Sequence, residues 1–183
     1  MSNDSTRYLL ICDKAKNTKI DISIFKITCL LGLHGAVKVE TVTIPPMKKI
    51  EKLYQTKLEL GGRFKPKQCI ARHRVAIIVP YRDREEHLRT FLLHMHSYLP
   101  RQQLDYGIFV VEQHGSEPFN RAMLMNVGAA EALKNYEYQC FIFHDVDLLP
   151  EDDRNLYSCP VQPRHMSVAI NKYVIFNNYL LFK

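Results

Sequence analysis

Residues 140–150, C-F-I-F-H-D-V-D-L-L-P, decide how the rest of this chain is read. Four apolar positions, Cys140 to Phe143, predict a short buried strand that runs directly into His144, Asp145 and Asp147. Carboxylates at i and i+2 share one side where the backbone is extended. Two such charges at a strand end repel unless a cation or polar ligand compensates them. A hard divalent ion satisfies that need with oxygen ligands and bridges carboxylates to substrate phosphates. A solvated loop that carries two aspartates is the competing reading, and upstream segments weigh between them.

Two strand–helix units precede this stretch. Val75 to Val79, V-A-I-I-V, is a continuous apolar run suited to a strand buried on both faces, and Pro80 stops it. Leu88, Phe91, Leu92, Met95 and Leu99 then recur with helical period, with Asp83 and Glu86 placed as a capping box. A second strand over 107–111 ends at Glu112, Gln113 and His114. A second helix over about 120–134 is expected to bury Met123, Val127, Ala130 and Leu133. Strand–helix–strand–helix–strand predicts an α/β fold with a mostly parallel sheet, whose ligands sit beyond the carboxyl ends of the strands. All three strand ends carry polar, chemically capable residues, which a buried core alone does not require.

Upstream, alternation of Val37, Val39 and Thr41 predicts a strand over 36–42, and Ile50, Leu53 and Tyr54 predict a helix within 47–60 that Gly61–Gly62 ends. His94 and His96 lie at i and i+2 on a helix, where side chains do not face one another, so they are read as surface or boundary residues rather than metal ligands.

Composition narrows the function classes. The 183 residues are enough for one domain, and 25 basic against 19 acidic residues give a net charge of +6. That charge permits phosphate-bearing partners, but the basic residues are scattered and no nucleic-acid-binding signature accompanies them. No apolar run approaches the roughly 20 residues that span a bilayer, and the N-terminus lacks the apolar core of a signal peptide. Five cysteines without a C-x-x-C pair argue against structural zinc; reduced, buried thiols and disulfides both remain open on composition.

Arg82 and Arg84, in P-Y-R-D-R-E-E-H at 80–87, stand where a strand gives way to a helix. Helix N-termini and guanidinium groups both bind phosphate, although arginine is also common at solvated helix starts. In F-N-R at 119–121, Phe119 is placed to stack on a base and Arg121 to reach a phosphate or a carboxylate. No Ser-His-Asp order, activated cysteine or phosphate-cradling G-x-x-x-x-G-K is present. Nucleotide-diphosphate and metal chemistry without a protein nucleophile fits glycosyl transfer from a sugar nucleotide.

Four ordered segments carry a resemblance: V-A-I-I-V-P-Y-R-D-R-E-E-H-L, R-Q-Q-L-D-Y-G-I-F-V-V-E-Q, F-N-R-A-M-L-M-N-V-G and F-H-D-V-D-L-L-P-E-D-D-R-N-L-Y. With these intervals the chain resembles the β-1,4-galactosyltransferase family from about Gly61 to Lys172, and more loosely upstream. The resemblance implies a GT-A-like nucleotide-sugar-binding fold, Mn²⁺, and transfer of galactose or N-acetylgalactosamine from a UDP-sugar to terminal N-acetylglucosamine in the Golgi lumen. It assigns Pro80, Tyr81, Arg82, Asp83 and Arg84 to a first nucleotide-sugar segment and Phe119, Asn120 and Arg121 to the uridine side. Val146 and Asp147 match the family's metal motif, with Asp147 as the Mn²⁺ ligand and Asp145 on the nucleotide side, and Lys172 matches a further nucleotide-sugar contact. It also implies a Cys140–Cys159 disulfide, pairs Cys29 with Cys69, and leaves Cys12 over.

On that basis residues 1–28 are unassigned, 29–173 form the donor-binding domain, and 174–183 are a divergent tail. The family's membrane anchor is not visible. Its tryptophan-rich acceptor segment, with the remaining metal ligands and the catalytic acid–base group, has no counterpart in a chain without tryptophan. The resemblance therefore predicts a chain truncated before its C-terminal part and inactive in transfer by itself. The alternative is a non-catalytic UDP-sugar-binding or partner-binding fragment. Nucleic-acid binding has only net charge behind it.

Overall fold

A computed structural model of the protein describes residues 28–167 and the short strand at 180–182. The element order is α1 (Met47–Tyr54), β1 (Arg74–Tyr81), α2 (Glu85–Tyr98), β2 (Asp105–Glu112), α3 (Arg121–Asn135), β3 (Cys140–Phe143), β4 (Leu148–Pro150) and β5 (Leu180–Phe182). β1, β2 and β3 form a parallel sheet in the order β2-β1-β3, with Ile78 opposite both Phe109 and Phe143. The predicted α/β architecture with a parallel sheet is present, with every predicted strand of the sheet in place. β4 and β5 pair in a separate parallel ribbon.

The apolar run of β1 is explained by its central position. Val75, Ile77 and Val79 pack under Phe91, Met95, Tyr98 and Leu99 of α2 and the turn after it. Ala76 and Ile78 face the opposite way, toward Ala132 of α3. All five residues from Val75 to Val79 are fully buried, as a strand covered by helices on both faces must be. β3 differs from its expectation. Among the described residues it lies at the edge of the sheet, with half-buried residues, and Phe143 is 49% exposed.

α3 corrects a second expectation. Leu124, Gly128 and Ala132 face the sheet, while Met123, Val127 and Leu133 are exposed. The cause is close packing: a Cβ at Gly128 would collide with Cγ2 of Ile78 and lie 2.7 Å from Cγ2 of Val111. Backbone approach through small residues sets the buried face, so the larger apolar residues mispredict it by one position.

The segment 36–42 is not a strand. Ala36 makes only a single antiparallel bridge to Asp152, and the Val37 N–H donates to Glu151 O at 2.7 Å. Its alternation records Val37 and Val39 meeting the core from an irregular path. α1 also ends earlier than expected, at Tyr54, whose hydroxyl donates to Leu93 O. There is no capping box on α2. Arg84 is the N-cap, without a side-chain cap bond, and Asp83 adopts φ +51°.

Asp153 is buried and ties the N-terminal part to the core. Its carboxylate accepts the His34 N–H at 2.9 Å and the Gly35 N–H at 2.7 Å, with Arg101 at 3.7 Å. Burial opposes its ionisation, but those two amides and Arg101 outweigh burial, so its carboxyl lies below the usual range. Gly35 has φ +93°, which favours glycine here. Two disulfides complete the frame. Cys29–Cys69 and Cys140–Cys159 have Cα–Cα distances of 5.0 and 5.5 Å. Both pairings implied by the resemblance are therefore present, while Cys12 lies outside the described residues.

His94 and His96 are buried, not surface or boundary residues as expected, because the C-terminal half of α2 is packed against other parts of the chain. The His94 Nε2–H donates to Pro150 O, and His96 Nδ1 shares a hydrogen bond with the Tyr106 hydroxyl. Burial pushes both imidazoles down to about 4. The unfolded chain then takes up more protons than the folded one between pH 4 and the ordinary value of 6.5. Stability is therefore expected to fall as pH drops below about 6.5, by up to about 1.4 kcal/mol per pH unit for each histidine. Urea unfolding at pH 7.5 and 5.0 measures this. His94→Gln and His96→Gln are expected to flatten the dependence.

Candidate functional site

Three strand ends converge on one cleft. At the end of β1, the αL conformation of Asp83 turns the chain sharply between Arg82 and Arg84, a backbone state that aspartate tolerates better than most residues. The Arg82 guanidinium donates from Nη1 to Glu117 O at 2.6 Å and lies 5.3 Å from the centre of the Phe119 ring.

The loop after β2 is organised by Gln113. Its backbone N–H donates to Tyr81 O, tying the ends of β1 and β2 together. Its side-chain amide donates to Glu117 O and Pro118 O and accepts the Asn120 N–H at 2.8 Å. These bonds place Phe119 and the start of α3. Asn120 caps that helix by accepting the Met123 N–H at 3.0 Å, which leaves Arg121 in its first turn.

After β3, the chain turns through Val146 and Asp147 rather than continuing as a strand. Buried Val146 anchors the turn. His144 supports it from within. Its Nδ1–H donates to Asp145 O at 2.8 Å, so Nε2 accepts the Tyr157 hydroxyl, also at 2.8 Å. Burial pushes this imidazole down to about 4, against the opposing influence of the Asp145 carbonyl and the Asp145 and Asp147 carboxylates. The Cys140–Cys159 disulfide brackets the segment and brings the Tyr157 region beside β3.

The two aspartates are not left to repel. Arg121 Nε donates to Asp145 Oδ1 at 2.7 Å, and Arg84 Nη1 donates to Asp147 Oδ2 at 2.8 Å. The resulting cleft, of about 460 Å³, is lined by Pro80, Arg82, Arg84, Phe119, Arg121, Asp145, Val146 and Asp147. Three guanidinium groups against two carboxylates leave it net cationic, which suits a diphosphate. The exposed Phe119 ring offers a stacking surface.

Of the residues expected here, Tyr81, Asp83 and Asn120 shape the cleft through backbone and capping rather than lining it. Tyr81 instead packs against the core. Lys172 lies outside the described residues. Gln113, His144 and Tyr157 support the site without having been assigned to it. The E-Q-H ending of β2 and the His beside Asp145 were the only signals for two of them. A second cavity of about 640 Å³ lies between β3 and residues 158–167 and shares Arg121 and Asp145 with the first.

Among the described residues, no group of three or more His, Cys, Asp or Glu side chains could hold a metal. The donor set fits a different arrangement. One or two carboxylates suit a hard divalent ion whose remaining positions are filled by substrate phosphate oxygens and water. Asp147, a partly exposed carboxylate beside the guanidinium groups of the cleft, meets that description.

Comparison with known proteins places this geometry. The family model described as the N-terminal region of glycosyl transferase group 7 matches residues 29–160. Bovine β-1,4-galactosyltransferase 1 is 54% identical over 141 residues, covering 77% of this chain and 35% of the relative. The Chinese hamster (Cricetulus griseus) β-1,4-galactosyltransferase 3 is 52% identical over 142 residues, covering 77% and 36%. A solved variant of Drosophila β-1,4-galactosyltransferase 7, in complex with manganese, UDP-Gal and xylobiose, is 46% identical over 48% of this chain and 36% of its own, with a TM-score of 0.45. The chain thus spans about a third of the length of these curated relatives. With its strand-end arginines, its D-V-D turn and a match over most of its length, the chain belongs to the β-1,4-galactosyltransferase family.

Proposed function

We propose that this cleft is the donor site of a β-1,4-galactosyltransferase, and that residues 29–173 form its donor-binding domain. The reaction this site would serve is transfer of galactose or N-acetylgalactosamine from a UDP-sugar to a terminal N-acetylglucosamine. The observation that carries this reading is the single cleft in which Arg82, Arg84, Phe119, Arg121, Asp145 and Asp147 meet from three strand ends.

In this reading Arg82 and Arg84 bind the diphosphate, Phe119 stacks on the uracil ring, and Arg121 with Asp145 fixes the nucleoside side. Asp147 holds Mn²⁺ against the diphosphate, where the ion offsets the charge that develops on departing UDP. Lys172 is proposed as a further contact to the nucleotide sugar. The buried His144–Tyr157 pair holds the D-V-D turn in position, so that these groups need little reorganisation when the donor binds. Disulfides persist in oxidising compartments, which supports placement in the Golgi lumen. No helix among the described residues is long and apolar enough to cross a membrane.

Arg82→Ala is expected to weaken UDP binding by about 1.5–3 kcal/mol, the usual range for a hydrogen bond to a charged group. Calorimetry with UDP and Mn²⁺ measures it, and an unchanged affinity would remove Arg82 from the site.

For residues 1–183 by themselves, donor binding without transfer is the proposed behaviour. General-base catalysis is commonly worth about 10²–10⁴-fold and acceptor positioning more, and none of the described residues in the cleft is placed as such a base. Incubation with UDP-galactose, Mn²⁺ and an N-acetylglucosamine acceptor is expected to give no disaccharide. Turnover near that of a full-length relative would show that these residues contain a base and acceptor site not identified above.

A further inference from the structure

Arg84 and Arg82 line the same cleft but are held differently. Arg82 rests on a neutral carbonyl and an aromatic face. Arg84 is paired with the Asp147 carboxylate, the group expected to take the metal. We infer that Arg84 guards Asp147, occupying its carboxylate in the ligand-free site and releasing it when a nucleotide diphosphate draws the guanidinium away.

The exchange is chemically balanced. A diphosphate offers Arg84 several anionic oxygens in bidentate geometry, at least as good a partner as one carboxylate oxygen. Released Asp147 then presents that oxygen to a divalent ion, which the same diphosphate helps to ligate. Both side chains are partly exposed, at 52% for Arg84 and 23% for Asp147, so the pair is weak enough to be exchanged. Asp145 needs no such release, because Arg121 neutralises it separately. The ion alone must compete with Arg84 for Asp147, whereas ion and nucleotide together remove that competition. By linkage, each then strengthens the binding of the other. This inference rests on the donor-site reading above and adds to it a residue that suppresses binding of the free metal.

The test is Mn²⁺ binding without nucleotide, followed by water-proton relaxation at low ionic strength, for wild type, Arg84→Ala, Arg84→Lys and Arg82→Ala. Arg84→Ala is expected to bind Mn²⁺ about two- to fivefold more tightly, the scale of an exposed ion pair. Arg82→Ala removes the same charge from the cleft without freeing a carboxylate, and is expected to gain clearly less. Arg84→Lys keeps a cation able to pair with Asp147 and is expected to stay near wild type. The gain should shrink as salt is added. UDP should also enhance Mn²⁺ binding less in Arg84→Ala than in wild type. Circular dichroism verifies that each variant is folded. If Arg84→Ala gains no more than Arg82→Ala while wild type binds UDP with Mn²⁺, the guard is refuted and the donor site stands. If folded wild type binds neither UDP nor Mn²⁺ at millimolar concentration, both fall.

Discussion

Asp147→Ala is expected to abolish the Mn²⁺-dependent part of UDP binding. Loss of even an outer-shell partner of a metal ligand commonly costs 10–100-fold in metal affinity, so loss of the proposed ligand itself should cost at least about 100-fold. The variant carries an internal control. Removing Asp147 also frees Arg84, whose guanidinium is paired with it at 2.8 Å, so a cation becomes available to phosphate. In the presence of EDTA, Asp147→Ala should therefore bind UDP at least as well as wild type does. Calorimetry with and without metal separates the two effects. Equal losses under both conditions would mean that Asp147 acts through the fold rather than through the ion.

The largest effect on stability is expected at Asp153, away from the cleft. Its buried carboxylate satisfies the His34 and Gly35 amides, and Arg101 lies 3.7 Å away. Asp153→Ala would leave those amides without their acceptor, each costing about 1–3 kcal/mol where it stays buried. The expected total is roughly 2–5 kcal/mol. Asp153→Asn retains an acceptor oxygen and should lose less. Denaturant unfolding measures both variants, and a loss under about 1 kcal/mol for Asp153→Ala would show that water replaces the carboxylate.

Strand and helix order was legible because β1 and α2 announce themselves through burial of large side chains. Val75 to Val79 and the Phe91–Met95–Leu99 stripe are where the apolar pattern says they should be. The failures share a cause in packing that side-chain size does not report. α3 meets the sheet through Gly128 and Ala132, so its exposed Met123 and Val127 looked like the core face. His94 and His96 are polar, yet each finds a buried partner, Pro150 O and the Tyr106 hydroxyl, supplied by other elements of the fold. Such partners are invisible to helical periodicity.

The site divides in the same way. Arg82, Arg84, Phe119, Arg121, Asp145 and Asp147 were legible because they stand at strand ends, where an α/β sheet presents its ligand-facing groups. Their pairing was not. The expected repulsion between Asp145 and Asp147 is relieved by Arg121 and Arg84, which come from the start of α3 and the N-cap of α2. Gln113 and Tyr157 escaped because their work is done through side-chain bonds to Asn120 and His144 that no local sequence pattern signals. The aspartate α-helix cap expected at Asp83 was displaced by the turn that separates the two arginines.

The central claim is that the cleft binds a nucleotide diphosphate together with a divalent ion. Titration of UDP into folded residues 1–183, once with saturating Mn²⁺ and once with EDTA, tests it most directly. Saturable one-to-one binding that strengthens at least about tenfold when Mn²⁺ replaces EDTA, a difference of about 1.4 kcal/mol, is the predicted result. Absence of saturable binding with Mn²⁺, or equal affinity in Mn²⁺ and EDTA, would contradict it.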